Sequence, residues 1–203
     1  MDSHAVCPAM KSVITAIALI IWAPVTILFT SLLMVNHTIA MPMPNDLQQV
    51  EQGLVEWLGR GDAVVHVLYA NCSCTDSLVE HLVQRGSTPA LREVVVFVGT
   101  STLSQERLAD VGFEWHQWSQ LELTERTGLE AAPLLVIRQH NRLDYVGGYF
   151  RFPGANRPLD VRIIDDTTTG DPPKPLPIFG CAVSPSLRAI VDPLGLQGPA
   201  TDR

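Results

Sequence analysis

Hydrophobic and polar residues are distributed along this chain in three ways. From Ser12 to Val35 the sequence SVITAIALIIWAPVTILFTSLLMV carries no charge at all. Beyond Met41–Pro44, which reads as a short linker, Leu47, Val50, Leu54 and Leu58 recur at helical spacing. Asn45 or Asp46 stands where a cap belongs, and Gly59 and Gly61 end the pattern. The third pattern is the short apolar run. AVVHVLYA, from Ala63 to Ala70, and EVVVFV, from Glu93 to Val98, are largely apolar, as buried central strands are.

Between these runs the periodicity returns to 3.6. Leu78, Val79, Leu82 and Val83 form one face of a helix expected from about Asp76 to Arg85, with Gly86 as its stop. Thr102-Leu103-Ser104-Gln105 and Ser119-Gln120-Leu121-Glu122 both have the form of a capping box. They open helices expected to end at Gly112 and Gly128, on either side of a third strand from Phe113 to Trp118. Leu134–Arg138 and Leu143–Val146 read as strands joined by a turn at His140-Asn141, followed by Gly147-Gly148. A last helix is expected from Pro158 to Thr168, and the proline-rich stretch DPPKPLPIFGCAVSPS is expected to be irregular. Strands alternating with helices and ending in an adjacent pair imply an α/β fold. Its central sheet is mixed and covered by helices on both faces.

The charge-free stretch is long enough for a transmembrane helix, since about 20 residues cross the hydrocarbon layer. Pro24 in its middle is tolerated better there than in a soluble helix. Lys11 precedes it and the next basic residue is Arg60, so the positive-inside rule places the N-terminus in the cytoplasm and the remainder outside. A cleaved signal peptide is the rival reading, with His37-Thr38-Ile39-Ala40 as a weak cleavage site. The organisation expected is a cytoplasmic tail over 1–11, an anchor over 12–35, and a linker with a leading helix over 36–62. A domain over 63–170 and a proline-rich extension over 171–203 follow.

Composition narrows the function. The 203 residues carry a net charge of -7 with no cluster of Lys and Arg, which argues against a nucleic-acid partner. No G-x-G-x-x-G and no P-loop pattern occurs, and no cofactor is expected. The four cysteines divide about the anchor. Cys7 precedes it, whereas Cys72, Cys74 and Cys181 fall on the far side, in an oxidising compartment if the orientation holds. His66 within its strand reads as a packed core histidine, and His116 between Trp115 and Trp118 reads as structural. His81, on the helix after the cysteines, is a weaker candidate for tuning a site.

The order of these elements resembles the thioredoxin-like superfamily over roughly Val64 to Thr168. VLYANCSCTDSLVEHL follows the strand–cysteine–helix pattern, Ala131-Ala132-Pro133 matches the loop that carries a cis-proline, and Gly147-Gly148 falls after the hairpin. With an anchor, the whole is similar to bacterial periplasmic thioredoxin-like reductases, single-pass in the inner membrane with the domain facing the periplasm or the cell exterior. The site departs from the family pattern. Cys74-Thr75-Asp76-Ser77 reads C-x-x-S, Ser73 stands where a tryptophan is common, and Leu68 replaces the usual buried acid. Dithiol chemistry between Cys74 and position 77 is therefore impossible.

The resemblance implies a thiol-disulfide oxidoreductase acting on a protein or small-thiol disulfide. A helix N-terminus lowers a thiol pKa, so Cys74 is expected to attack, although Asp76 opposes that effect. Cys72 or the distal Cys181 then resolves the mixed disulfide. Pro133 would shape the substrate groove, with the Ala132 backbone exposed for strand-like pairing with a peptide. Two other classes stay open. Cys72, Cys74 and Cys181 would together suit Cu(I), and a domain with the fold but without turnover would bind only.

Overall fold

The computed structural model describes residues 8–35, 39–88 and 91–193, with the side chains of the first helix described over 15–31. The chain divides into two units, Met1–Asn36 and His37–Arg203. In the first, the charge-free stretch lies within helix α1, Pro8–Val35, which carries Pro24 in its interior. Among the described residues no helix is long and apolar enough to cross a membrane. The crossing expected over 12–35 is therefore not found there, and positions 12–14 and 32–35 lie outside the described side chains. Cys7 lies outside the described residues altogether.

In the second unit, helix α2, Leu47–Leu58, is capped by the Asp46 carboxylate, which accepts from the amides of Gln48 and Gln49. Strand β1, Ala63–Tyr69, is buried along its whole length. It leads through a tight turn to helix α3, Ser73–Arg85. Strand β2, Arg92–Val98, helix α4, Thr102–Asp110, and strand β3, Glu114–Trp118, follow. Helix α5, Gln120–Thr127, begins with the expected reciprocal capping box between Ser119 and Glu122 and ends at left-handed Gly128. The other expected box does not form. Ser101 is the cap of α4, its hydroxyl donates to Ser104, and Thr102 already lies inside the helix.

Strands β4, Ala131–Ala132, β5, Leu134–Gln139, and β6, Arg142–Gly147, come next. The turn between β5 and β6 falls where the sequence expects it. His140 and Asn141 both have positive φ, 51° and 60°, as a two-residue hairpin loop requires. Helix α6, Asp160–Thr168, follows. The extension is more ordered than its prolines suggest. It forms a two-residue strand, β7, Cys181–Ala182, and a short helix, α7, Pro185–Val191, capped by the Ser184 hydroxyl. Ser before Pro at a first helical position is a start signal that the irregular reading passed over.

The main sheet has the order β3-β2-β1-β5-β6. β1, β2 and β3 are parallel, β5 runs antiparallel to β1, and β6 runs antiparallel to β5. This mixed sheet flanked by helices is compatible with a thioredoxin-like fold. Alternate residues of β1 feed two cores. Val65, Val67 and Tyr69 pack with Leu54, Leu123 and the tail residues Ile178, Val183 and Leu187. Val64 and Leu68 pack with Leu78, Leu82, Leu108 and Ile163 on the other face.

His66 is fully buried in that second face, as expected of a core histidine. Its Nε2–H donates to Glu93 Oε2 at 3.0 Å, and its Nδ1 lies 2.8 Å from the Tyr149 hydroxyl. Arg85 bridges Glu93 at 2.6 Å to Asp160 at 2.8 Å, and His81 donates to the same Asp160 at 2.8 Å. This network ties α3 to β2 and α6. Burial alone would raise the Glu93 carboxyl, but the bonds from His66 and Arg85 hold it well below the usual carboxylate range. A depressed folded-state pKa contributes stability above the unfolded value, and that contribution is lost as pH falls through the folded one. Glu93→Gln should cost roughly 3 kcal/mol in urea unfolding at pH 7, because it leaves Arg85 with a broken buried pair. It should also flatten the loss of stability below about pH 4. An unchanged acid limb would show that the network carries no such linkage.

Candidate functional site

The site is assembled at the C-terminal end of β1. The Cys72 amide donates to the Tyr69 carbonyl at 3.0 Å, closing the turn. The buried Thr75 hydroxyl donates to the same carbonyl at 2.7 Å, and the Thr75 amide donates to the Cys72 carbonyl at 2.9 Å. These bonds start α3 at Ser73, three residues earlier than the periodicity of its apolar face indicates. Cys72 is thus the N-cap residue, in an extended conformation with no side-chain cap hydrogen bond, and Cys74 lies in the first turn.

Opposite stands the Ala132–Pro133 peptide bond, which is cis. The strand before it is already paired. β7 runs antiparallel to β4, with Ala182 across from Ala131 and Cys181 across from Ala132. Several contacts dock this segment. The Gly148 amide donates to Leu176 at 2.8 Å, the Val183 amide to Glu130 at 2.7 Å, and Met41 bridges Ile178. The hydroxyls of Ser184 and Ser186 both donate to the Glu130 carboxylate at 2.7 Å. Gly180 lies so close that a Cβ there would collide with the Ala132 carbonyl and the Pro133 ring. At Gly148 a Cβ would strike the Pro177 carbonyl.

Docking brings Cys181 to Cys72. The two form a disulfide with Cα atoms 6.0 Å apart. Cys74 is a free thiol, and all three sulfurs lie within 4.8 Å of one another. Cys72 is buried, whereas Cys74 and Cys181 are partly exposed. The three cysteines singled out in the sequence therefore meet at one place, and the bond runs to the distal one. A Cys72–Cys74 bond is not present.

The helix N-terminus does not dominate at Cys74. Burial pushes its thiol up to about 11, the Cys74 backbone amide works against this, and the Asp76 charge adds to it. His81, considered as a tuning residue, has Asp160 on α6 as its partner. His116 is held by Glu114 at 2.8 Å and lies edge-on to Trp57. Three positioning residues escaped the sequence reading. Thr75 fixes the turn, and Glu130 anchors the tail. The Tyr69 hydroxyl accepts from Gln120 at 3.1 Å and Arg188 at 3.2 Å, tying α5 and α7 to the end of β1. Of these only Tyr69, a polar tip ending an apolar run, left a trace in the pattern.

The sulfurs permit two kinds of chemistry. A thiol beside a partly exposed disulfide permits thiol-disulfide exchange. Three thiols released by reduction offer a soft donor set for a metal such as Cu(I).

No protein-family profile matches the chain, and no curated protein matches it. Among solved structures it is similar to a hypothetical protein from Sinorhizobium meliloti 1021. The identity is 16%, the TM-score is 0.47, and the match covers 72% of this chain and 90% of that one. It is also similar to an uncharacterized conserved protein from Geobacillus kaustophilus. Here the identity is 16%, the TM-score is 0.49, and 72% of this chain and 88% of that one are covered. Neither likeness bears on function.

In the oxidised protein, the alkylation rate of Cys74 should rise tenfold per pH unit and level off near pH 11. At pH 7 about one thiol in 10,000 would be ionised. Asp76→Asn should move the midpoint down. A midpoint at or below about 8.5, the ordinary thiol value, would show that the helix N-terminus outweighs burial.

Proposed function

We propose that this protein is a thiol-disulfide oxidoreductase whose working couple is Cys72–Cys181, with Cys74 as a third thiol within the same centre. The observation that carries this reading is a free thiol within 4.8 Å of both sulfurs of a partly exposed disulfide. A disulfide that only staples a tail has no need of such a neighbour.

The chemistry balances in either direction. A partner thiolate attacks the Cys181 sulfur, the more accessible of the pair. The S–S bond breaks, and Cys72 leaves as a thiolate. Cys72 is the N-cap residue of α3, where an anion can accept from first-turn amides and benefits from the helix dipole. A second partner thiol then attacks the mixed disulfide. The partner departs as its disulfide, and the protein retains two electrons and two protons as the Cys72 and Cys181 thiols. Run backwards, the same steps reduce a partner disulfide. Cys74 can displace a thiol stalled on Cys181, forming Cys74–Cys181. The attacking role expected of Cys74 is thereby moved to Cys181, because burial disfavours the Cys74 thiolate.

Placement outside the cytoplasm belongs to this proposal. It is supported by the charge-free composition of residues 12–35 and by a disulfide in the folded protein, since disulfides persist in oxidising compartments. Attachment to the bacterial inner membrane through α1 rests on that composition and on Lys11 alone.

Metal handling is a second reading, favoured by the same cluster of sulfurs. Binding of one Cu(I) per anaerobically reduced chain, lost in Cys72→Ser, with no thiol exchange in the oxidised chain, would favour it.

The redox reading is tested with full-length single-cysteine variants, using dithiothreitol oxidation and hydroxyethyl disulfide reduction as probes. Cys72→Ser and Cys181→Ser should each lower the exchange rate by about 100-fold or more, as loss of a group acting in a unit does. Cys74→Ser should retain the Cys72–Cys181 bond and most of the exchange rate. A bond that yields to reductant only after unfolding would make it a staple. By chain entropy, closing a loop of about 100 residues is worth roughly 4.7 kcal/mol.

A further inference from the structure

We infer that the extension occupies the place where an extended peptide would pair beside the disulfide, so that the centre exchanges electrons with small thiols rather than with peptide strands. This inference rests on the redox reading. Its grounds are the pairing and packing of the tail.

A peptide gains affinity at a strand edge through main-chain hydrogen bonds. The edge nearest the disulfide is β4, and the backbone of Cys181–Ala182 already uses it. Gly180 is pressed against the Ala132 carbonyl and the Pro133 ring, leaving no room for a second chain between them. The tail is not held by the disulfide alone. Ile178, Ala182, Val183 and Leu187 are buried in the same core as Val65 and Val67 of β1. Glu130 binds the tail through two amides and two hydroxyls. Breaking the S–S bond removes none of these contacts. Reduction should therefore leave β7 in place, with Cys181 beside Cys72 and the edge still closed.

The approach left open is from the side of Cys181, which is partly exposed where Cys72 is buried. A small thiolate attacks it, the Cys72 thiolate leaves, and a second small thiol completes the disulfide of the probe. Two electrons pass to the protein, as in the balance above. A peptide that presents its cysteine from an extended segment meets the same sulfur without gaining a single main-chain hydrogen bond. Gly180 and Glu130 become specificity-determining residues, acting through the position of the tail.

The test compares two probes on the full-length oxidised chain. One is cysteine, and the other is an extended octapeptide with one central cysteine of matched thiol pKa. The octapeptide should reduce Cys72–Cys181 no faster than cysteine, because it forgoes main-chain pairing at the closed edge. Gly180→Ala should push the tail off β4 and raise the peptide's rate relative to that of cysteine. Hydrogen exchange on the wild-type chain gives a reading independent of any variant. The amides of β4 and β7 should stay protected to within about threefold after reduction. A peptide at least about tenfold faster than cysteine, or loss of that protection on reduction, would overturn the inference while leaving the redox reading standing. Failure of both thiols to reduce the bond in the folded chain would overturn both.

Discussion

The antiparallel pairing of β7 with β4 is the contact on which the rest of the site depends. Without it Cys181 is a residue in a proline-rich tail, 109 positions from Cys72. With it, the Cys181 backbone lies across from Ala132 and its sulfur reaches the start of α3. The pairing is made possible by glycine at two points of close approach, Gly148 and Gly180, where any side chain would meet backbone. It is held by burial of Ile178, Ala182, Val183 and Leu187, and each fully buried aliphatic side chain contributes roughly 1.5–3 kcal/mol. Glu130 satisfies the polar groups that come in with them. Packing thus delivers the third sulfur to the site, and the disulfide records that delivery.

Two opposing uses of burial meet on helix α3. At its C-terminal end, Arg85 and the carboxylates of Glu93 and Asp160 are desolvated but fully engaged with one another. There hydrogen bonds outweigh desolvation, and Glu93 stays ionised. At its N-terminal end, Cys74 is desolvated with only its own backbone amide to favour the thiolate, and Asp76 works against it. There desolvation wins. The contrast explains how the same helix can be anchored by charge at one end and carry a protonated thiol at the other.

Much of the fold was legible because long apolar runs and glycine stops are strong signals. The four outer features of the central unit, namely the Asp46 cap, the buried β1, the Ser119–Glu122 box and the His140–Asn141 turn, all occur where the pattern puts them. The errors have local causes. The apolar periodicity places the start of α3 late because its first turn carries Ser73, Cys74 and Asp76, and the bonds that form it come from Thr75 and the Tyr69 carbonyl. The box at Thr102 failed because Ser101, one residue earlier, took the cap. The tail reads as irregular because a two-residue strand has no periodicity and is stabilised only by its partner. At the site, the cysteines, Ala132 and Pro133 were all visible. The pairing between them was not, since connectivity among three cysteines is a property of tertiary packing. The thiol pKa of Cys74 was misjudged for the same reason, because burial cannot be read from a helix start.

That Cys72–Cys181 is a working redox couple is a proposal open to one direct test. The most direct measurement is its reduction potential in the full-length folded protein, read by mass mapping of alkylated thiols across a series of thiol buffers. A working couple should show a reversible two-electron transition above about −300 mV, within reach of small-thiol buffers, with Cys72 and Cys181 changing state together. A potential below that value, or a bond that opens only on unfolding, would contradict it and leave a structural disulfide beside an idle thiol.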